Sequence, residues 1–149
     1  MEKVKFCTEA KYSIGVAAKM LGVSVHLLRV YENEGLLLSE RTATLRRFYS
    51  DLEIEKARCI RQMINQLGMN FEGIRRLLAL APCFSLRDCG EKKNTGCPAF
   101  SSSDMPCWAS ETKCLHPLNS CRECPVYQKL VHCDDLKELI FGQFTNEGL

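Results

Sequence analysis

Cysteine is the residue type that offers most chemistry in this chain, because ten of its 149 residues are cysteines. Seven of them form the pattern C-x5-C-x7-C-x9-C-x6-C-x6-C-x2-C, which runs from Cys83 to Cys124. Thiolates bind zinc and iron–sulfur clusters, and pairs of thiols form disulfides. The N-terminal residues lack the apolar core of a signal peptide, so we expect a cytoplasmic protein. In that compartment metal ligation is more common than structural disulfides.

The residues between these cysteines are mostly loop formers, so we expect the segment to need metal or disulfide staples. The spacing leaves three chemistries open. Fe–S clusters tolerate irregular spacing and often have a Cys-Pro ligand, as at Cys97 and Cys124. Structural zinc normally uses two C-x2-4-C knuckles, whereas Cys121 and Cys124 form the one C-x2-C of this chain. Redox-active thiols or disulfides without a metal are the third possibility.

These local patterns give a candidate ligand set for an Fe–S cluster or zinc. For one four-thiolate site we predict Cys97, Cys107, Cys121 and Cys124, with Cys114 as a substitute ligand. The remaining cysteines of this half form a second site or fill space; they are Cys83, Cys89 and Cys133.

The chain divides into two halves of different composition. Residues 1–81 carry thirteen Lys and Arg against nine Asp and Glu, whereas residues 82–149 carry seven against nine. We therefore predict two modules, 1–81 and 82–149, with different partners. In the second module an approximate helical stripe that begins at Val126 follows Pro125, and it predicts a C-terminal helix.

The front half reads as two short helices joined by a tight turn. Apolar residues at Ile14, Ala17, Ala18 and Leu21 have the spacing of one helix face, and Ser13 precedes them as a cap. Gly22 then breaks the pattern, and Ser24 is placed to cap a second helix that runs to about residue 33. This arrangement is the helix-turn-helix pattern.

A short two-stranded wing and two further helices are predicted to follow. The stretch from Ser39 to Arg47 is rich in arginine, and Ser50-Asp51-Leu52-Glu53 reads as a capping box for a third helix that ends near Gly68. Asn70 can cap a fourth helix. The expected fold is therefore mainly α, with a winged helix-turn-helix domain, an irregular cysteine-rich module and a C-terminal helix.

Residues 12–80 resemble the MerR family of winged-helix transcriptional regulators, and within it the HspR-type heat-shock repressors. The resemblance rests on YSIGVAAKMLGVSVHLLRVYENEGLL, RT, RRFYS and LGMNFEGIRRLL. It implies that the second helix enters the major groove and that the wing grips the DNA backbone. The implied DNA contacts are Ser24, His26, Arg29 and Tyr31 from the helix and Arg41, Arg46, Arg47 and Tyr49 from the wing.

The resemblance also implies double-stranded promoter DNA, RNA polymerase and a second copy of the chain as partners. Two departures from the family are visible. The wing has Ala43-Thr44-Leu45 instead of a Gly-Asn-type turn. The fourth helix ends at Pro82, where family members continue into a long dimerising helix.

Several of these residues have a structural alternative. An ion pair on a solvated face is the alternative for Arg29, and an idle surface position is the alternative for His26. Packing in the core is the alternative for Tyr31, and Tyr49 is expected to pack under the wing whatever else it does. Cys59 lies within a helical apolar pattern, so we predict a small buried hydrophobe there.

The expected function is that of a DNA-binding regulator whose cysteine-rich half senses metal or redox state. Two alternatives are a DNA-binding protein with purely structural zinc, and a metal or redox carrier that uses the winged helix for protein docking. An enzyme is not expected, because no Ser/His/Asp arrangement, phosphate loop or carboxylate pair is present. No run approaches the roughly 20 apolar residues of a membrane span, so no membrane partner is expected.

Overall fold

The computed structural model describes residues 6–81, 83–86, 104–109 and 120–131. The first helices are α1 (Ile14–Leu21) and α2 (Val25–Asn33), with a bend of 102° between them. Ser13 Oγ accepts from the backbone N–H of Val16, and Ser24 Oγ accepts from Leu27 N–H at 3.1 Å. Gly22 ends α1 at φ +65°, a left-handed conformation that glycine adopts without steric cost. The predicted helix-turn-helix is therefore confirmed.

The wing is a small antiparallel sheet in the strand order β1-β3-β2. Its strands are β1 (Tyr12–Ser13), β2 (Glu40–Arg41) and β3 (Arg47–Tyr49). Tyr12 pairs with Tyr49, and Arg41 pairs with Arg47. At the tip Leu45 adopts a positive φ of 60°, the conformation that a glycine or asparagine would favour. Thr42 stabilises this turn, since its carbonyl accepts from Leu45 N–H at 2.8 Å.

The next helices are α3 (Asp51–Asn65) and α4 (Phe71–Ala79), with caps as predicted. The Glu53 carboxylate accepts from the backbone N–H of Ser50 at 2.8 Å, which completes the capping box. Asn70 Oδ1 accepts from Gly73 N–H at 2.8 Å at the start of α4. A single turn, α5 (Cys83–Leu86), follows the fourth helix.

The described parts of the cysteine-rich half pack against the helices of the front half. They comprise residues 104–109, a 3-10 turn at Cys121–Glu123 and helix α6 (Pro125–Lys129). The predicted C-terminal helix is confirmed in this first part, and its continuation lies outside the described residues. Trp108, Val126 and Tyr127 are buried in the same core cluster as the apolar residues of α2, α3 and α4. This half therefore shares a core with the front half, instead of depending on staples alone.

Candidate nucleic-acid interface

A cleft of about 530 Å³ separates the wing from the start of α1 and the exposed face of α2. The first turn of α1, Arg29 of α2, and Arg46 and Arg47 of the wing line this cleft. The lining residues are Ser13, Ile14, Gly15, Arg29, Leu45, Arg46, Arg47 and Phe48. Two secondary-structure elements and the N-terminal end of a third thus meet at one basic surface.

The arginines around this cleft differ in how their charge is compensated. Arg47 donates to the Glu32 carboxylate, and Arg41 Nη2 lies 3.9 Å from the same group. Arg29 and Arg46 are exposed, and within the described part of the chain neither forms an ion pair. Their guanidinium groups can therefore accept an anionic partner without first giving up an intramolecular one.

The predicted helix contacts fall into two groups. His26 and Arg29 project from the exposed face of α2, and Ser24 is exposed at its start, where its hydroxyl serves as the helix cap. Tyr31 does not belong to this surface. It is 2% exposed and packs edge-to-face against Phe71 at a centroid distance of 6.1 Å. Its side chain lies on the core face of α2, which favours the core alternative, and the DNA contact by Tyr31 stays a prediction.

Tyr49 packs beneath the wing, as expected, whereas the three arginines of the wing lie at its surface. The ring of Tyr49 is 1% exposed, and its hydroxyl is buried without a hydrogen-bond partner in the described residues. Burial raises the pKa of Tyr49 far above its ordinary value, and the nearby Glu32 carboxylate adds to the rise. Tyr49 supports the wing from beneath and does not reach its surface.

A buried polar cluster around Lys56 was not predicted from the sequence. Lys56 is buried in α3, and its ammonium donates to the carbonyls of Tyr127 at 3.1 Å and Leu130 at 3.0 Å. It also lies 4.0 Å from the ring centre of Tyr127 and 4.9 Å from that of Trp108. Desolvation by burial lowers the pKa of Lys56 to about 7. Lys56 is a charged residue directly before Ala57, which is buried in the same helix. Its sequence neighbours do not indicate that the lysine is buried as well.

The predicted metal ligands are only partly placed. Cys107, Cys121, Cys124 and Cys83 lie in described segments, while Cys97, Cys114, Cys89 and Cys133 lie outside the described residues. Among the residues that the structure describes, no group of three or more His, Cys, Asp or Glu side chains could hold a metal ion. The ligand set therefore stays a prediction.

Cys59 differs from its prediction in one respect. It is buried in α3, as expected for a small apolar residue, but its sulfur is disulfide-bonded.

No single helix in the described ranges is long and apolar enough to cross a membrane. Together α1 and α2 pass such a test of length and composition, but with a 102° bend between them.

Comparison with known proteins identifies the family of the front half. Residues 12–81 match the MerR HTH family of regulatory proteins. Over 69 residues the chain is 39% identical to the heat shock protein HspR of Streptomyces coelicolor. It is 42% identical over 69 residues to the HTH-type transcriptional regulator HmrR of Sinorhizobium medicae. Each match covers 46% of this chain and 46% of the relative, so the chain spans about half the length of the curated relatives it matches.

One solved structure is also similar: HiNmlR, a MerR family regulator lacking the sensor domain, bound to promoter DNA. It is 30% identical, with a TM-score of 0.39, and the match covers 44% of this chain and 49% of that one. The family match and the helix-turn-helix with its wing agree on the same residues. Residues 12–81 are a MerR-family helix-turn-helix domain.

Proposed function

We propose that this protein is a sequence-specific transcriptional regulator that binds double-stranded promoter DNA through its MerR-type domain. The observation that carries the proposal is that Arg29 of α2 and Arg46 of the wing both line the cleft and form no ion pair within the part of the chain that the structure describes. The family match supports it, and so does the similarity to HmrR, an HTH-type transcriptional regulator.

In this proposal α2 reads the base sequence, and the wing binds the phosphate backbone. His26 and Arg29 on the exposed face of α2 are placed to read base edges, because a helix fits the major groove and arginine pairs with guanine in a bidentate way. Arg46 and Arg47 at the wing are placed to hold phosphates, which fixes the register but carries no sequence information. The function is one of binding, in the cytoplasm where the promoter lies, and involves no catalysis.

The experiment is a selection of duplexes from a random pool by the full chain, followed by measurement of affinity for the enriched sequence. We expect a defined sequence, and we expect R29A to lower the affinity for it by about 10-fold to 100-fold. R58A is the matched control, because Arg58 is exposed, pairs with Glu55 and does not line the cleft. Failure to enrich any sequence contradicts the proposal, as does an equal loss in both variants.

Promoter regulation also requires partners beyond DNA. We propose that the protein acts as a homodimer that presents two such surfaces to a two-fold site, and that RNA polymerase is recruited to the same promoter. Sedimentation equilibrium of the full chain with the enriched duplex tests the first part. Two chains per duplex are expected, and a single chain per duplex at saturation contradicts it.

For the cysteine-rich half we propose a sensing role, for redox state or for a bound metal or Fe–S cluster. The disulfide bond of Cys59 supports sensing of redox state. It places an oxidised thiol in α3, the helix that contacts strand β3 of the wing. Purification without oxygen, followed by an absorption spectrum and metal analysis, separates the forms. DNA affinity that changes with reduction or with metal loading supports the sensor, and affinity that responds to neither contradicts it.

A further inference from the structure

Arg122, in the turn between Cys121 and Cys124, contacts two parts of the MerR-type domain and the segment that precedes it. Its Nε and Nη2 donate to the Glu53 carboxylate at 2.9 and 3.1 Å. Nη1 donates to Glu40 of wing strand β2 at 3.0 Å, and Nη2 also donates to the carbonyl of Thr8 at 3.0 Å. One guanidinium therefore contacts the start of α3, the wing and Thr8, which precedes the first strand.

The contact with Glu53 cannot be exchanged for water. The Glu53 side chain is 0% exposed, and Arg122 is 11% exposed. A buried carboxylate needs a nearby cation and several donors, and Arg122 supplies both in a fixed fork. The guanidinium is thereby held in place from the α3 side, which fixes the direction in which its remaining donor meets Glu40.

The turn that carries Arg122 is itself anchored. Ser120 Oγ accepts from the backbone N–H of Arg122 at 3.2 Å, and Gln128 Nε2 donates to the Arg122 carbonyl at 3.1 Å. Helix α6 follows directly, and Lys56 of α3 donates to the carbonyl of Tyr127 within it. The turn is therefore fixed to α3 through Arg122 and Glu53, and helix α6 is fixed to α3 through Lys56.

Glu40 is in turn part of the surface proposed to meet DNA. It pairs with Phe48 across the wing, and the adjacent pair is Arg41 with Arg47. A displacement of Glu40 therefore carries the arginine-bearing hairpin with it.

We propose that Arg122 is a positioning residue for the wing, so that the conformation of the Cys121–Cys124 turn sets how the wing meets DNA. This inference rests on the proposed DNA-binding function and adds to it the route by which the cysteine-rich half reaches the DNA surface. Because Arg122 lies between the two thiols of the C-x2-C motif, any change of backbone at those thiols acts on Glu40 through one side chain.

The test uses two variants of the full chain, E40Q and R122K. E40Q removes the charge of Glu40, which reduces its contact with Arg122 to a weaker neutral hydrogen bond, and leaves the buried Glu53 pair intact. R122K keeps the positive charge but replaces the fork with a single point of contact. The first readout is hydrogen–deuterium exchange of peptides covering residues 38–49, which needs no DNA. We expect exchange there to become about threefold faster in both variants, with residues 71–79 unchanged.

The second readout is affinity for the selected duplex. Removal of the Glu40 charge near DNA would by itself strengthen binding, because one repulsion of phosphate is lost. Loss of wing positioning instead predicts affinity about threefold weaker, so the sign separates the two effects. E72Q is the matched control, because Glu72 is 62% exposed against 61% for Glu40 and also pairs with an arginine.

Unchanged wing exchange in both variants overturns the inference, and so does stronger DNA binding by E40Q. Absence of DNA binding by the unaltered chain contradicts the proposed function instead. In that case the exchange data alone decide whether Arg122 positions the wing.

Discussion

The ammonium of Lys56 lies 4.0 Å from the ring centre of Tyr127, in a site closed by two backbone carbonyls and the indole of Trp108. Lys56 belongs to α3 of the MerR-type domain, whereas Tyr127 belongs to the cysteine-rich half. The contact therefore joins the two halves through a buried charge. Tyr127 strengthens the junction, because its hydroxyl accepts from the backbone N–H of Leu38 at 3.1 Å.

The buried lysine predicts how stability depends on pH. Burial lowers the pKa of Lys56 to about 7 in the folded chain, from 10.5 when it is exposed. Between these values the unfolded chain binds more protons, so the free energy of unfolding rises with pH, by at most about 1.4 kcal/mol per unit. We expect this rise in urea unfolding of the reduced chain between pH 7 and 10.

K56M is the control for this measurement, because methionine keeps most of the side-chain length but does not titrate. Both chains carry every other ionisable group, so the difference between the two curves isolates Lys56. Parallel curves would show that Lys56 does not change its protonation on folding.

Residues 104–109 pack closely against Gly35, so a larger side chain at this position should destabilise the fold. Its φ is +75°, and a Cβ there would lie 2.6 Å from the Cβ of Ala109. Trp108 Nε1 also donates to the Gly35 carbonyl at 3.0 Å. G35A should therefore cost backbone strain plus about 1–3 kcal/mol for the steric overlap, measured by urea unfolding.

Gly68 supplies the matched comparison for Gly35. Its φ is +65°, and a Cβ there would meet nothing within 4 Å. G68A should cost only the left-handed strain of about 1 kcal/mol. Equal losses in the two variants would mean that residues 104–109 do not pack against Gly35 in solution.

The Glu53 pair predicts a large loss of stability on removal of one partner. E53Q leaves Arg122, whose side chain is 11% exposed, without its carboxylate, although a glutamine can still accept at this position of the capping box. We expect a loss of about 3–5 kcal/mol in the free energy of unfolding. E72Q removes an exposed pair and should cost less than about 0.5 kcal/mol. Similar small losses in both would place Glu53 in contact with water.

The burial of Tyr31 predicts that its hydroxyl takes no part in DNA recognition. Y31F removes the hydroxyl and keeps the ring that packs on Phe71. We expect affinity for the selected duplex to stay within about twofold of the unaltered chain, since no phosphate contact is lost. A loss comparable with that of R29A would return Tyr31 to the DNA surface and refute its placement in the core.

Local rules predicted the helices and their caps because each depends on neighbouring residues. Ser13, Ser24, Ser50 and Asn70 all begin the helices that their positions indicate. The family resemblance implied that Tyr31 and Tyr49 contact DNA, but both rings are buried, one on the core face of α2 and the other beneath the wing. A tyrosine has an apolar ring and a polar end, so residue type alone did not decide between these positions.

The junction between the halves lay beyond sequence reasoning for a different reason. Lys56 and Tyr127 are 71 residues apart, and Glu53 and Arg122 are 69 apart. No periodicity or spacing relates such residues. A lysine or glutamate in a helix is ordinarily solvated, and only the three-dimensional packing shows that both are buried.

The salt dependence of DNA binding tests the central claim most directly. Affinity of the full chain for a mixed-sequence duplex would be measured over a range of salt concentrations. It would be compared with R29A/R46A and with R58A/R76A, which removes the same charge outside the cleft. We expect the slope of log K against log salt to fall by about 1 in R29A/R46A, because Arg46 is the phosphate contact of this pair, and to stay unchanged in R58A/R76A. Equal slopes in all three proteins would contradict DNA binding through this cleft.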